Sequence, residues 1–238
     1  MASYKAPRII GRITKLLFSL FIFGVCAILI WRVFFSTKIP KEIDFLTPNA
    51  RLTEAYEANG GKLTLRYQEL STITRAKDSY GYFSVVSYVF IPEAEQVQLV
   101  FRYNNSTIRH LQEDYALAEL PDKSEHLFDV SLVKATDLTP ETHEDDLDES
   151  KLQTQRILPT GEPLREETAL YTFYRYVFDG VTVEDITNSV YLDVYYVEDI
   201  RYEERPYSTL LLYAWDEDWI AYSPSKADLR AMQGDSLR

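Results

Sequence analysis

Apolar positions along this chain fall into two patterns, one continuous and one alternating. The continuous one runs from Leu16 to Phe35 and is interrupted only by Ser19 and Arg32. The 16 residues between Lys15 and Arg32 would make about 24 Å of helix, slightly short of a bilayer core. If the Arg32 guanidinium snorkels to the headgroups, Val33, Phe34 and Phe35 join the span, which then reaches about 30 Å. Trp31 falls where interfacial aromatics prefer to lie. The pattern predicts one transmembrane helix over 16–35, anchored at Leu16, Trp31, Arg32 and Phe35.

The second pattern begins after a short stalk at 36–46. Thr47-Pro48 reads as a helix start, with Thr47 as cap and Pro48 in the first turn, and Leu52 and Tyr56 share one face. Asn59-Gly60-Gly61 stops that helix. Strand periodicity follows, with Leu63, Leu65 and Tyr67 alternating with polar residues. Tyr82–Ile91 is apolar on both faces and reads as a central strand closed by Pro92. Val97, Leu99, Phe101 and Tyr103 alternate again. Asn104-Asn105 reads as a tight turn leading into a second arm at Ile108–Leu111, in competition with a helix through Ile108, Leu111 and Tyr115. Further strands are expected around Phe128–Leu132, Leu170–Phe178, Val190–Val197 and Thr209–Trp215. Asp179-Gly180 carries a hairpin signal, and Ser223-Pro224 opens a last helix ending at Gly234.

About eight short strands with few helical patterns predict a mainly β domain over 47–238, an antiparallel β-sandwich or jelly roll with short flanking helices. The 18 tyrosines and 12 phenylalanines suit such strands. No internal repeat is visible.

Charge adds a topology. The first 41 residues hold seven basic residues and no acidic one, leaving 18 basic and 37 acidic residues in the remaining 197, a net charge of −19. The basic tail 1–15 (Lys5, Arg8, Arg12, Lys15) places the N-terminus in the cytoplasm by the positive-inside rule, and the β domain outside it. The anionic domain repels nucleic acid and anionic lipid. Ser36-Thr37-Lys38-Ile39-Pro40 offers no signal-peptide cleavage site, so the anchor is read as uncleaved. Cys26 is the only cysteine and lies within the apolar run. The domain therefore has no disulfides and no thiol nucleophile, which suits a bacterial envelope, of Gram-positive type, better than an animal secretory route.

No complete catalytic set is present. Ser36 lies near the membrane without the surroundings of a serine–lysine peptidase. Ser223-Pro224-Ser225-Lys226 has the spacing of a lysine-activated serine but reads as a helix cap followed by proline. His110, His126 and His143 are not at metal-ligand spacings, and no cofactor is implied. The acidic stretch 137–150 offers Asp145, Asp146 and Asp148 as oxygen ligands for calcium, though a solvated loop explains them too. Trp215, Asp216, Asp218 and Trp219 set carboxylates beside aromatic rings, the chemistry of a carbohydrate site. A polar turn between buried tryptophans is the plainer account. Asn104–Thr107 contains two overlapping glycosylation sequons. The sequence thus predicts a non-catalytic interaction or scaffold module of the cell envelope, partnered with the bilayer and with another envelope protein. The alternative is an envelope carbohydrate-binding or carbohydrate-active protein.

Overall fold

The computed structural model describes residues 6–69, 81–134, 156–187, 190–198, 206–212 and 220–222. The chain divides into two compact units, Met1–Lys38 and Ile39–Arg238.

The first unit is one helix, α1 (Ala6–Thr37). Its stretch Thr14–Thr37 has 24 residues at a mean hydropathy of 2.4, none of it buried, and is long and apolar enough to cross a membrane. Leu16, Trp31 and Phe35 lie in it, 61%, 61% and 53% exposed. Arg32 is also a residue of this helix. Near the C-terminal end the Trp31 and Phe35 rings are 4.8 Å apart, and the Lys38 ammonium sits 4.0 Å from the centre of the Phe34 ring. Aromatics flanked by a long cationic side chain are what an interfacial helix end presents to headgroups.

The second unit is mainly β. Its described strands are β1 (Leu63–Glu69), β2 (Phe83–Ile91), β3 (Gln96–Asn104), β4 (Phe128–Lys134), β5 (Arg156–Ile157), β6 (Leu164–Glu167), β7 (Tyr171–Asp179), β8 (Val190–Tyr196), β9 (Ser208–Leu212) and β10 (Ile220–Tyr222). They form two sheets, ordered β10-β1-β2-β3-β7-β6 and β5-β4-β8-β9, with antiparallel pairing throughout. Phe83, Val97, Leu99, Phe101, Tyr103, Tyr174 and Tyr176 from the first sheet share one core with Phe128, Val130, Leu132, Leu192, Val194, Tyr196 and Leu210 from the second. Burying these faces on each other is what removes the alternating apolar positions from water.

β2 is buried along its whole length. Its register shifts between Val85 and Ser87, so Val86 is an extra residue that bulges the strand and sets a valine beside Ser87 on the outer face.

The described residues of this unit also form short α-helices, α2 (Ala50–Ala58), α3 (Thr107–Asp114) and α4 (Val183–Thr187). α2 begins later than the Thr47-Pro48 pattern predicts. Asn49, not Thr47, is its cap, accepting a hydrogen bond from the Leu52 amide at 2.9 Å, because the Thr47 backbone is already engaged by the sheet. At the other end Gly60 has φ +65 and the Gly61 amide reaches Tyr56 O at 2.8 Å, so the predicted stop is a Schellman turn.

The Ile108–Leu111 segment is helical rather than a hairpin arm, since Ile108 and Leu111 both turn onto the core. Asp179-Gly180 is not a hairpin either: β7 pairs with β3 and β6, and the chain leaves for the second sheet. Thr182 and Asp185 exchange hydrogen bonds that open α4 immediately after the glycine, which pre-empts the turn. The helix expected from Pro224 lies outside the described residues, as does the whole acidic stretch 137–150.

Candidate functional site

The residues singled out for ligand chemistry, Trp215, Asp216, Asp218 and Trp219, and for calcium, Asp145, Asp146 and Asp148, all lie outside the described residues, as does His143. The strands fix only where those segments start. Lys134 pairs with Val190, and Val190 with Leu212, so the acidic stretch and the tryptophan segment leave the second sheet at the same end. Among the described residues no group of three or more His, Cys, Asp or Glu is placed to hold a metal ion.

Two arrangements stand out in the second unit. The first is a polar row on the outer face of the larger sheet. In β3 the side chains alternating with the core residues are Gln96, Gln98, Val100 and Arg102, and in β7 they are Phe173, Arg175, Val177 and Asp179. Polar residues at such positions ordinarily face water, yet Gln96 and Gln98 are 0% exposed and Arg102 and Arg175 are 4% exposed. The covering element is the segment 39–49, expected as stalk up to Leu46 and as a helix start at Thr47-Pro48. Ile43 packs on Val86, Val100 and Phe173, and Leu46 joins Leu52, Val89 and Ile91.

Gln98 is the centre of the attachment. Its Nε2 donates to Thr47 O at 2.8 Å and to Gln96 Oε1 at 2.7 Å. Its Oε1 accepts from the Thr47 amide at 2.8 Å and from Arg175 Nε and Nη2 at 3.2 and 3.1 Å. One side-chain amide thereby satisfies both backbone groups of Thr47, as a neighbouring strand would. Arg175 Nη1 donates to Ile43 O at 3.1 Å. Gln96 Nε2 continues the row, donating to Asn49 Oδ1 at 3.0 Å and Asp179 Oδ1 at 2.7 Å. Arg102 donates to Ser84 Oγ at 3.0 Å and lies 4.0 Å over the Tyr171 ring.

The second arrangement lies where α3 closes the end of the core. The Tyr82 and His110 rings stack at 4.4 Å. Tyr115 lies 4.9 Å from Tyr196 and 5.9 Å from Tyr207. The Tyr207 hydroxyl donates to Asp114 Oδ2 at 2.7 Å, and that of Tyr196 to Glu198 Oε2 at 3.0 Å. Burial, then the hydrogen-bonded Asp114 carboxylate, push the Tyr207 phenol well above its ordinary range. Burial, then Glu198, push Tyr196 up to about 12. Both tyrosines therefore stay neutral donors at any physiological pH. Just after α3 the chain turns through Ala116 at φ 49, with Leu117 N on Gln112 O at 3.0 Å, a Schellman turn that holds a non-glycine residue in the left-handed region.

Of the other candidates, His126 Nε2 lies 2.6 Å from Asp129 Oδ1, and its ring meets Tyr174 edge-on at 5.4 Å. The sequon asparagines have structural work: the Asn105 side chain donates to Thr168 O and accepts from Thr172 Oγ1, and Asn104 Oδ1 accepts from the Ser106 amide.

Beside the start of the acidic stretch, Lys134 Nζ contacts Asp185 Oδ2 at 2.6 Å, both side chains largely buried. Burial alone would raise the Asp185 carboxyl, but hydrogen bonds from Lys134 and Thr182 outweigh it and hold the group below its ordinary 3.8. A depressed carboxyl stabilises the fold above its unfolded value, and that contribution disappears as pH falls through the folded value. Lys134→Met should therefore cost about 1–2 kcal/mol at neutral pH, with the difference from wild type shrinking below 3.8. Urea unfolding at neutral and acid pH checks this; a pH-independent difference would show that the lysine acts through packing alone.

Compared with models of known protein families, with curated proteins and with solved structures, the chain matches none.

Proposed function

We propose that this chain is a single-pass membrane protein whose second unit is an antiparallel β-sandwich outside the cytoplasm, acting as a non-catalytic interaction or scaffold module of a bacterial envelope. The observation that carries the reading is the sequence of devices at its start. A 24-residue apolar helix with no buried part is followed at once by a segment, 39–49, that Gln98 and Arg175 fasten into the sheet. The basic residues before the helix and the net charge of −19 after residue 41 support the orientation.

Two measurements on the full-length protein test this. It should stay in the pellet after alkaline carbonate extraction of membranes, and protease added outside intact spheroplasts should digest the β domain. Release by carbonate, or protection from external protease, would overturn the reading.

A glycan-binding reading retains one supporting observation, the shared departure of the tryptophan and acidic segments from one sheet end. Binding of envelope polysaccharide that Trp215→Ala abolishes would favour it.

A further inference from the structure

The interaction reading leaves the partner's chemistry open, and the end of the core closed by α3 narrows it. Its rings are held rigidly: Tyr82 on His110, and Tyr115 between Tyr196 and Tyr207. Tyr82, Tyr115 and Tyr207 are partly buried against the core, so the parts of the rings left open are already fixed and can be contacted at little entropic cost, the property that makes tyrosine prominent in binding surfaces. Asp114 and Glu198 are exposed at this end, each accepting one tyrosine hydroxyl. Neither forms an ion pair with any described residue. Lys123, the one lysine between Leu111 and Glu125, is paired with Glu167. That same stretch carries Glu113, Asp114, Glu119, Asp122 and Glu125. Among the described residues no cation neutralises these two carboxylates, and the neighbouring aromatic rings add π faces that attract cations.

Resting on the interaction-module reading, we propose that Tyr82, Tyr115 and Tyr207, with Asp114 and Glu198, form a docking ledge for a basic segment of a partner protein. Lysine or arginine stems lie along the rings, and their charged ends reach the two carboxylates. Charge complementarity selects this occupant: an acidic or phosphorylated segment is repelled, and a purely apolar one covers two carboxylates without supplying a cation to them.

The test uses the full-length protein in non-ionic detergent and a fluorescein-labelled hexalysine amide, read by anisotropy at about 150 mM salt, where diffuse attraction is screened. Asp114→Asn with Glu198→Gln should weaken binding about fivefold or more. Glu54→Gln with Glu57→Gln removes the same charge from α2 and should leave binding within about twofold. Equal losses in both would mean attraction by net charge alone and would overturn the ledge. Tyr115→Leu, which keeps an apolar contact but removes the ring, should weaken the peptide as well; unchanged binding would overturn the role of the ring.

Failure of the wider reading is separated by photo-crosslinking in native membranes, with the crosslinker at Glu113 beside the ledge or at Glu162 away from it. Capture of a lysine- or arginine-rich peptide from Glu113 supports the ledge. Capture only from Glu162 overturns the ledge and leaves the interaction module standing, and capture from neither overturns both.

Discussion

Phe128→Ala is expected to cost the β-rich unit about 4 kcal/mol. The Phe128 ring is 0% exposed and touches both sheets at once. It meets Phe83 and Tyr103 of the first sheet edge-on, at 4.9 Å each. It also packs near Tyr196 and Tyr207 of the second sheet's end, at 6.4 and 6.2 Å. Alanine removes the ring from a point where neither sheet can collapse inward without breaking its own hydrogen bonds, so the cavity stays open. Since a domain's whole stability is about 5–15 kcal/mol, the variant should unfold at far lower denaturant. Phe128→Leu should lose much less, about 1–2 kcal/mol. Chemical denaturation in detergent, followed by near-ultraviolet circular dichroism, checks both. A loss below about 1 kcal/mol for the alanine variant would mean that the two sheets do not depend on this ring for their shared core.

Gln98→Leu should be nearly as damaging, although leucine is apolar and of similar size. It would strip the Thr47 amide and carbonyl, Gln96 Oε1 and two nitrogens of Arg175 of their partner in one step. Buried groups left without partners cost about 1–3 kcal/mol each before relaxation, so a net loss of about 3 kcal/mol is expected. Amide exchange at Thr47 should accelerate more than exchange in β8, because the lesion is at the strap. A double variant, Gln98→Leu with Arg175→Met, should lose less than the two single losses added together, since removing the arginine also removes one of the orphaned groups. Simple additivity would show that the two side chains do not act as a unit.

Both predictions depend on features that differ in how visible they are in the chain. The core faces were legible because period-two alternation is a direct record of which side meets the apolar partner. Val97, Leu99, Phe101 and Tyr103 behave accordingly in β3, and so do Phe128, Val130 and Leu132 in β4. The helix α3 was readable only as one of two options, since Ile108 and Leu111 fit either period over so short a stretch.

The polar row was not legible. Alternation says that Gln96, Gln98 and Arg102 face away from the core, but not that residues 39–49 return to cover them. A clue was present: Val100, Phe173 and Val177 interrupt the polar side, and β7 is buried from Thr172 to Phe178 on both faces. Apolar residues on both faces of two neighbouring strands imply a second covering layer. The ledge was hidden for a different reason. Tyr82, Asp114, Tyr115, Glu198 and Tyr207 come from separate stretches of chain, and nothing in their local spacing announces that they meet. The tryptophan and acidic segments show the converse, since composition drew attention to them without indicating any geometry.

Gln98 grips Thr47 through its peptide group, and Arg175 grips Ile43 through its carbonyl. What the sheet recognises at these points is therefore the phase of the backbone and not the letter of the residue. Drift by substitution at position 47 leaves the grip intact, with proline the exception because it has no N–H to offer. A single insertion or deletion between 43 and 49 shifts every following contact out of step. Length conservation without identity conservation is the evolutionary signature this junction should leave.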